Sequence, residues 1–396
     1  MGYMSEYIDK GLSAKDLEKE LLSLIGKYNK LRKVYLLVYA SAINKNIPDR
    51  VINQEDYYLI ADILRDKVPL DKLDVYLESP GGSGEAAEEI VNYFRGNCKN
   101  VSFVISGEAK SAATIMVLSG DDILMTKTGS LGPIDAQTKI GRTVISAYDY
   151  VEWILEKRKE AGQKGRLNPF DATMVAQISP GELMGVFHSL KFAEDLVVKW
   201  LQKYKFKNWN KTETHNIPVT SQMKQKRAQG ICREFINHAK WRSHGRSIKI
   251  QDLESIKLKI EKIDGDQKLK DLVYRIQTVC RMLFSITSTF KIIATEDDKL
   301  FKQALKASTP IQMAKPAAKS GRSLEIAKLT IECPKCKEKY NIYAKFKSSK
   351  KIDDECKKEG CLPFPKDNKV KCKCGFEIDL GGVRNDLEVK VGAKVL

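Results

Sequence analysis

Two short runs hold residues whose types and order fit acyl transfer: SPGGSG at 79–84 and KSAAT at 110–114. Each follows a strand-like apolar run (Val75–Glu78, then Val101–Ile105) and each leads into a helical stretch. Adjacent glycines at 81 and 82 leave backbone N–H groups uncovered by any Cβ. A serine at a strand-to-helix turn, Ser111, has its hydroxyl held up close to a helix N-terminus. Together these are a nucleophile and donors for a developing oxyanion. Either run alone is a common turn or helix start. Their order is what matters, because strand, turn, helix, strand and serine turn bring both turns to one edge of a parallel sheet, where open α/β sheets place their sites.

The elements that must position these turns are legible along the chain. Residues 1–30 read as an amphipathic lead helix, and Lys33–Ala42 as a strong first strand. Gln54–Asp66 reads as a helix capped by Asn53, Asp122–Met125 as a short strand, and Thr128–Asp135 as a turn-rich loop. Alternating strands and helices predict a mostly parallel sheet covered on both faces. Tyr148–Lys159, Asp171–Tyr204 with a break near Ser179–Gly181, and Val219–Ala239 read as helices; Ser247–Ile250 suits a short strand, and Gln267–Ile293 a long amphipathic helix. The division expected is a lead helix at 1–30, a core with helical extension at 31–305, a linker at 306–323 rich in Pro, Ser, Ala and Lys, and a cysteine-bearing module at 324–396.

Bulk composition bounds the class. The 396 residues are 42% hydrophobic and 30% charged, an ordinary soluble composition with room for two or three domains. The N-terminus lacks the basic start and apolar run of a signal peptide, and no stretch is apolar enough to span a bilayer, so the expected location is the cytoplasm. The net charge of +17 is uneven: about −3 over residues 1–150, about +15 over 151–330 and about +5 over 331–396. The basic C-terminal half suits nucleic acid or an acidic partner; the alternative is a set of solvated lysine faces, since the basic residues are spread out.

The runs SPGGSGEAAEEIV, SGEAKSAATIMVLSGDDILM and TGSLGPIDAQ resemble the Clp protease and signal peptide peptidase A superfamily, which has the crotonase-like fold. GPID and the later WRSHGR at 241–246 are similar to the serine dehydrogenase proteinase family within it. The resemblance covers residues 30–300. It implies an ATP-independent serine endopeptidase in which Ser111 is the nucleophile, Gly81 shapes the turn, and the N–H groups of Gly82 and Ala112 form the oxyanion hole. It also implies a homo-oligomer, and a protein or peptide substrate bound as an added strand beside the segment after the SPGG turn.

The general base stays open. Clp proteases place a histidine in the loop after the third strand, where this chain has Asp135. Asp135 would then act in catalysis, orient a base or hold the loop. Signal peptide peptidases use a lysine roughly forty to fifty residues past the serine; Lys157, Lys159 and Lys164 lie there, within what reads as a solvated helix face. His238 and His244 flank Trp241, and a partner chain is a further source. Without any base the core would be a scaffold, and a crotonase-type acyl-thioester enzyme would use the same oxyanion hole without Ser111.

Of nine cysteines, six lie after residue 330, which fits metal binding better than disulfides. Cys333-Pro-Lys-Cys336 and Cys372-Lys-Cys374 make a zinc-ribbon expectation with all four ligands cysteine, and a structural zinc without which so small a ribbon does not fold. Cys356 and Cys361 lie between the pairs, either as a further ligand or as part of a Lys-rich insertion, and Cys98, Cys232 and Cys280 read as buried apolar residues.

Overall fold

The computed structural model describes residues 2–135, 137–140, 143–243, 245–304, 325–391 and 393–396. The expected linker at 306–323 and the candidate His244 lie outside the described residues. The chain divides into two compact units, Met1–Leu305 and Lys306–Leu396.

The first unit begins with α1 (Tyr3–Asp9) and α2 (Ala14–Arg32), two helices where the sequence read one. The break comes at Gly11, which takes φ +60°, and α2 restarts on a Ser13–Asp16 capping box. There follow β1 (Tyr35–Ser41), α3 (Gln54–Ile63), capped by Asn53, β2 (Leu70–Glu78), α4 (Gly84–Asn97), β3 (Cys98–Ile105), β4 (Glu108–Ala109), α5 (Ala112–Leu118), β5 (Asp122–Met125) and β6 (Ser130–Leu131). A hairpin of β7 (Gln137–Ile140) and β8 (Thr143–Ser146) leads into α6 (Ala147–Lys164), α7 (Pro169–Ala176) and α8 (Pro180–Trp200). The unit closes with α9 (Ser221–Phe235), α10 (His238–Trp241), α11 (Ile250–Ser255), β9 (Glu261–Lys262), α12 (Gln267–Ile286), β10 (Thr289–Ala294) and β11 (Lys299–Gln303).

The main sheet runs β11-β10-β1-β2-β3-β5-β9. It is parallel from β1 to β9, with β10 and β11 added antiparallel at one edge. Strand β1 explains the two-sided burial: Leu37 and Tyr39 enter the core shared with α3, α4, α5, α8 and α9, while Leu36, Val38 and Ala40 enter the core shared with α2 and α12. A parallel strand covered on both faces reads as a continuous apolar run, and β1 does. Helix α12 ends at Ile286, so the last part of the expected long helix is β10, paired with β1 at Val38↔Ala294 and Ser41↔Lys291. Lys291 is fully buried there and donates to Asp56 at 2.7 Å and to the Val51 carbonyl at 2.9 Å. Cys98, Cys232 and Cys280 are buried, and burial pushes their thiols up, to about 11 for Cys98 and about 12 for Cys232.

The second unit pairs β12 (Ile326–Glu332) with β13 (Lys339–Lys345), and β13 with β14 (Leu362–Pro363). A separate ladder joins β15 (Lys369–Lys371) and β16 (Glu377–Asp379), and α13 (Lys350–Lys358) and α14 (Gly381–Val391) complete it. Its core is small: Leu329, Ile331, Ile342, Ala344, Phe364 and Leu380. Among the described residues no helix is long and apolar enough to cross a membrane.

Candidate active site

A short ribbon of backbone crosses the carboxyl edge of the main sheet and sets the serine turn. Ser79 N–H bonds the Glu108 carbonyl at 2.8 Å, and Lys110 N–H returns to the Ser79 carbonyl at 3.0 Å. On the far side Ser130 N–H bonds the Gly107 carbonyl at 2.9 Å and Gly132 N–H the Ala109 carbonyl at 3.1 Å; Leu131 then pairs with Ile248. On the near side Ile52 N–H bonds the Gly81 carbonyl at 2.8 Å and Ser83 N–H the Ile52 carbonyl at 2.9 Å. That bridge uses the groups flanking Gly82, so the Gly82 N–H faces away from Ile52, toward the serine side of the ribbon.

The two glycines are demanded by contact as well as by dihedral. A Cβ on Gly82 would lie 2.3 Å from the Ile52 carbonyl oxygen, and one on Gly81 would lie 2.7 Å from Ser111 Cβ. Gly81 takes φ +100° and Gly82 φ +152°. Ser111, with a side chain that makes this region costly, sits at φ 50° and ψ −120° as the residue before α5. Such a conformation costs of order 1–3 kcal/mol and persists only where its surroundings over-determine it. Ala112 is the first residue of α5, so its N–H belongs to the donors a helix leaves unbonded at its start.

Two buried side chains lock the turn. Thr114 Oγ1 lies 2.8 Å from the Ala109 carbonyl and 3.1 Å from that of Gly132, and accepts the Gly132 N–H at 3.0 Å. The Lys110 ammonium turns into the ribbon, toward Ser247 Oγ at 3.0 Å, the Arg246 carbonyl at 3.1 Å and the Leu131 carbonyl at 3.3 Å. Burial is the largest influence on this ammonium and lowers its pKa. The WRSHGR run thereby gains a structural account: Trp241 is buried and donates to the Glu234 carbonyl, while the stretch after it supplies acceptors for Lys110 and the Ile248 pairing.

A cleft of about 510 Å³ opens beside the turn. Gly81, Gly82, Ser111 and Ala112 line one wall, Asp135 and Gln137 another, and His188 and Phe192 of α8 the third. Asp135 is buried, and its Oδ1 accepts the Ser146 hydroxyl at 2.9 Å. The expected lysines stand elsewhere: Lys157 is paired with Asp171 at 2.8 Å and Glu160 at 3.2 Å, Lys164 with Glu160 at 2.9 Å, and Lys159 is exposed. Sequence reasoning missed His188, which has no neighbouring motif; the signal available was its helical spacing from Phe192 on α8, whose partner only the fold reveals. The segment expected to add a substrate strand after the SPGG turn is short, because Ser83 caps α4 directly, accepting the Ala86 N–H at 3.1 Å. The strand bordering the cleft is instead β7, through Gln137.

In the second unit the sulfurs of Cys333, Cys336, Cys372 and Cys374 lie within 4.8 Å of one another. Each pair sits in a tight turn: Cys333 N–H bonds the Glu338 carbonyl and Cys372 N–H the Phe376 carbonyl, both at 2.8 Å. Sulfur separations of 3.7 Å (Cys333 to Cys374) and 3.3 Å (Cys336 to Cys372) are close to the roughly 3.8 Å edge of a tetrahedron with metal–sulfur bonds of about 2.3 Å. Hydrogen bonds from the Cys374 N–H and the Tyr340 hydroxyl hold the Cys372 thiol down at about 6. Cys356, buried on α13, and Cys361 are not members of this cluster. Four thiols so placed can hold a metal ion.

Residues 19–127 match the Clp protease family, a span that includes both glycines and Ser111 and ends before Asp135 and α8. No curated protein matches the chain. Among solved structures it is similar to a peptidase from Plasmodium falciparum, at 11% identity over 60% of this chain and 97% of that one, with a TM-score of 0.31. It is also similar to a mutant of the membrane-bound stomatin-specific protease 1510-N, at 13% identity over 55% of this chain and 76% of that one, with a TM-score of 0.29. Scores that low carry no argument about activity.

Proposed function

We propose that the first unit, which carries the Clp protease segment, is a serine peptidase in which Ser111 attacks the carbonyl carbon of a peptide bond. The N–H groups of Gly82 and Ala112 donate to the oxygen as negative charge gathers on it. The finer reading is an ATP-independent endopeptidase of the serine dehydrogenase proteinase type, taking protein or peptide chains in extended form beside β7. The observation that carries the proposal is the strained Ser111, held at φ 50° against a glycine pair that tolerates no Cβ, at the wall of a cleft. An architecture that holds strain at one serine is hard to explain by folding alone.

The second unit, in this reading, is a zinc ribbon. Cys333, Cys336, Cys372 and Cys374 would hold the ion, which supplies a structural cross-link and takes no part in peptide cleavage. Metal analysis of the purified chain should find zinc, and Cys333→Ser should abolish its retention.

The test of the peptidase is covalent labelling by a fluorophosphonate, run on the wild type and on Ser111→Ala in parallel with assembly state. Labelling that vanishes in a folded Ser111→Ala is the expected result. A wild type that stays unlabelled in every assembly state would overturn the proposal in favour of a scaffold or an acyl-thioester enzyme.

A further inference from the structure

We propose that His188, carried on α8, is the general base for Ser111, and that Asp135 faces it across the cleft as the charge that stabilises its imidazolium. The proposal rests on the reading of Ser111 as nucleophile and supplies what that reading lacks, an acceptor for the hydroxyl proton. A serine hydroxyl does not become a useful nucleophile without one, and neither Gly82 nor Ala112 can serve.

The placement follows from how α8 docks. Its face toward the core buries Ala193, Leu196 and Val197 in the same cluster as Ala112, Ala113 and Met116 of α5. The Phe192 ring closes on the start of α4, where a Cβ at Gly84 would meet Phe192 Cε1 at 3.2 Å. His188 lies four residues before Phe192, on the same helix face and about 6 Å further along the axis. Helical side chains lean toward the N-terminus, so His188 leans beyond the α4 contact and lines the cleft that Ser111 and Asp135 line.

The other ionisable groups near the serine are already engaged. Glu85, at the start of α4, also lines the cleft, and its Oε2 accepts the Ser83 hydroxyl at 2.8 Å. Asp135 accepts the Ser146 hydroxyl. The Lys110 ammonium points into the ribbon. On α8 itself Lys191 is paired with Glu194 at 3.4 Å and Asp195 at 3.0 Å, while Glu182 accepts from Tyr150 of α6. An imidazole at the cleft wall is the group type suited to take and return a proton near neutral pH.

The step balances within these groups. The imidazole nitrogen takes the Ser111 proton as Oγ bonds to the carbonyl carbon, and the carbonyl π pair moves to oxygen under the two N–H donors. When the tetrahedral centre collapses, that pair re-forms C=O, the C–N bond breaks, and the imidazolium returns its proton to the departing amine. Water then attacks the acyl-serine by the same route, its proton going to His188 and on to Ser111 Oγ. The carboxylates of Asp135 and Glu85 offset part of the cost of placing the imidazolium charge in the cleft.

The experiment compares wild type, Ser111→Ala, His188→Ala and His188→Gln by fluorophosphonate labelling rate and peptide turnover across about pH 5–9. Both His188 variants should lose at least about 100-fold in labelling rate and turnover, together with the acid limb of the wild-type profile. Added imidazole should restore part of the rate in His188→Ala and none in Ser111→Ala. His188 variants that keep the wild-type rate and acid limb would overturn the base assignment and leave the Ser111 reading standing. Loss accompanied by a lowered melting temperature, with no rescue by imidazole, would assign His188 a structural role and overturn it equally. Wild type that never labels would remove both readings together.

Discussion

The walls of the cleft are built by different means. The Ser111 wall is mainly backbone: Gly81, Gly82 and the serine turn are fixed by N–H and carbonyl groups of Ile52, Ser79, Glu108 and Ser130, with the Thr114 and Lys110 side chains behind them. The α8 wall is side chain: it rests on Phe192 and Ala193, and its outer surface leaves Met184 50% and Phe187 38% exposed. The difference maps onto chemistry. Oxyanion donors must already point at the place where charge develops, because reorganising them costs the stabilisation they give. A base need only reach the hydroxyl when substrate is bound, so a docked helix suffices.

The sharpest way to break this comparison is Gly82→Ala. The new Cβ would sit within 2.3–2.9 Å of the nitrogen, carbon and oxygen of Ile52, which are backbone atoms with no rotamer to yield. The variant should lose about 3 kcal/mol or more of stability in urea unfolding. Its fluorophosphonate labelling should fall at least about 100-fold. Near-wild-type stability and labelling would mean that the Ser111 wall adapts as freely as the α8 wall.

Legibility in the sequence follows the same division. The strands and both turns were readable because their signals are local: continuous apolar runs for buried parallel strands, paired glycines, and a serine between strand and helix. The Clp protease match ends at residue 127, which is also where local signals thin out. Gln267–Ile293 read as one helix because a buried strand such as Thr289–Ala294 is apolar in either period. Within that strand Lys291 is fully buried and paired with Asp56. His188 was illegible for a different reason: its partner residues are 77 and 53 positions away (188 − 111 and 188 − 135), and only the docking of Phe192 on α4 brings them together. The cysteine pairs were legible in both membership and spacing, since a metal-sized cluster is written into two short turns.

A smaller effect is expected at Lys110, whose side chain adds to the backbone bond it makes with Ser79 in the ribbon. Lys110→Met keeps length and apolar stem but removes the donor to the Arg246 carbonyl and the Ser247 hydroxyl, while the Leu131 carbonyl keeps the Ile248 N–H at 2.9 Å. These two acceptors lie at a partly exposed edge where water replaces the ammonium, and the variant no longer buries a charge, so a net loss of only about 1 kcal/mol is expected. Labelling should slow, because the same ammonium ties the serine turn to the loop that continues to Asp135. A variant as stable and as quickly labelled as wild type would show that the backbone ladder holds the turn alone.

The smallest effect tests the α8 wall where nothing crowds it. Gly185 lies in α8 three residues before His188, is exposed, and a Cβ there would meet nothing within 4 Å. Alanine lowers the entropy lost on forming the helix, so Gly185→Ala should raise stability by up to about 1 kcal/mol and leave the labelling rate within about twofold of wild type. The contrast with Gly82→Ala is the point of the pair: the same substitution, one methyl group, removes activity on the wall made of backbone and is absorbed on the wall made of side chains. If Gly185→Ala instead slowed labelling strongly while stabilising the fold, α8 would have to bend near Gly185 for His188 to reach Ser111. The α8 wall would then be a moving part rather than a docked one.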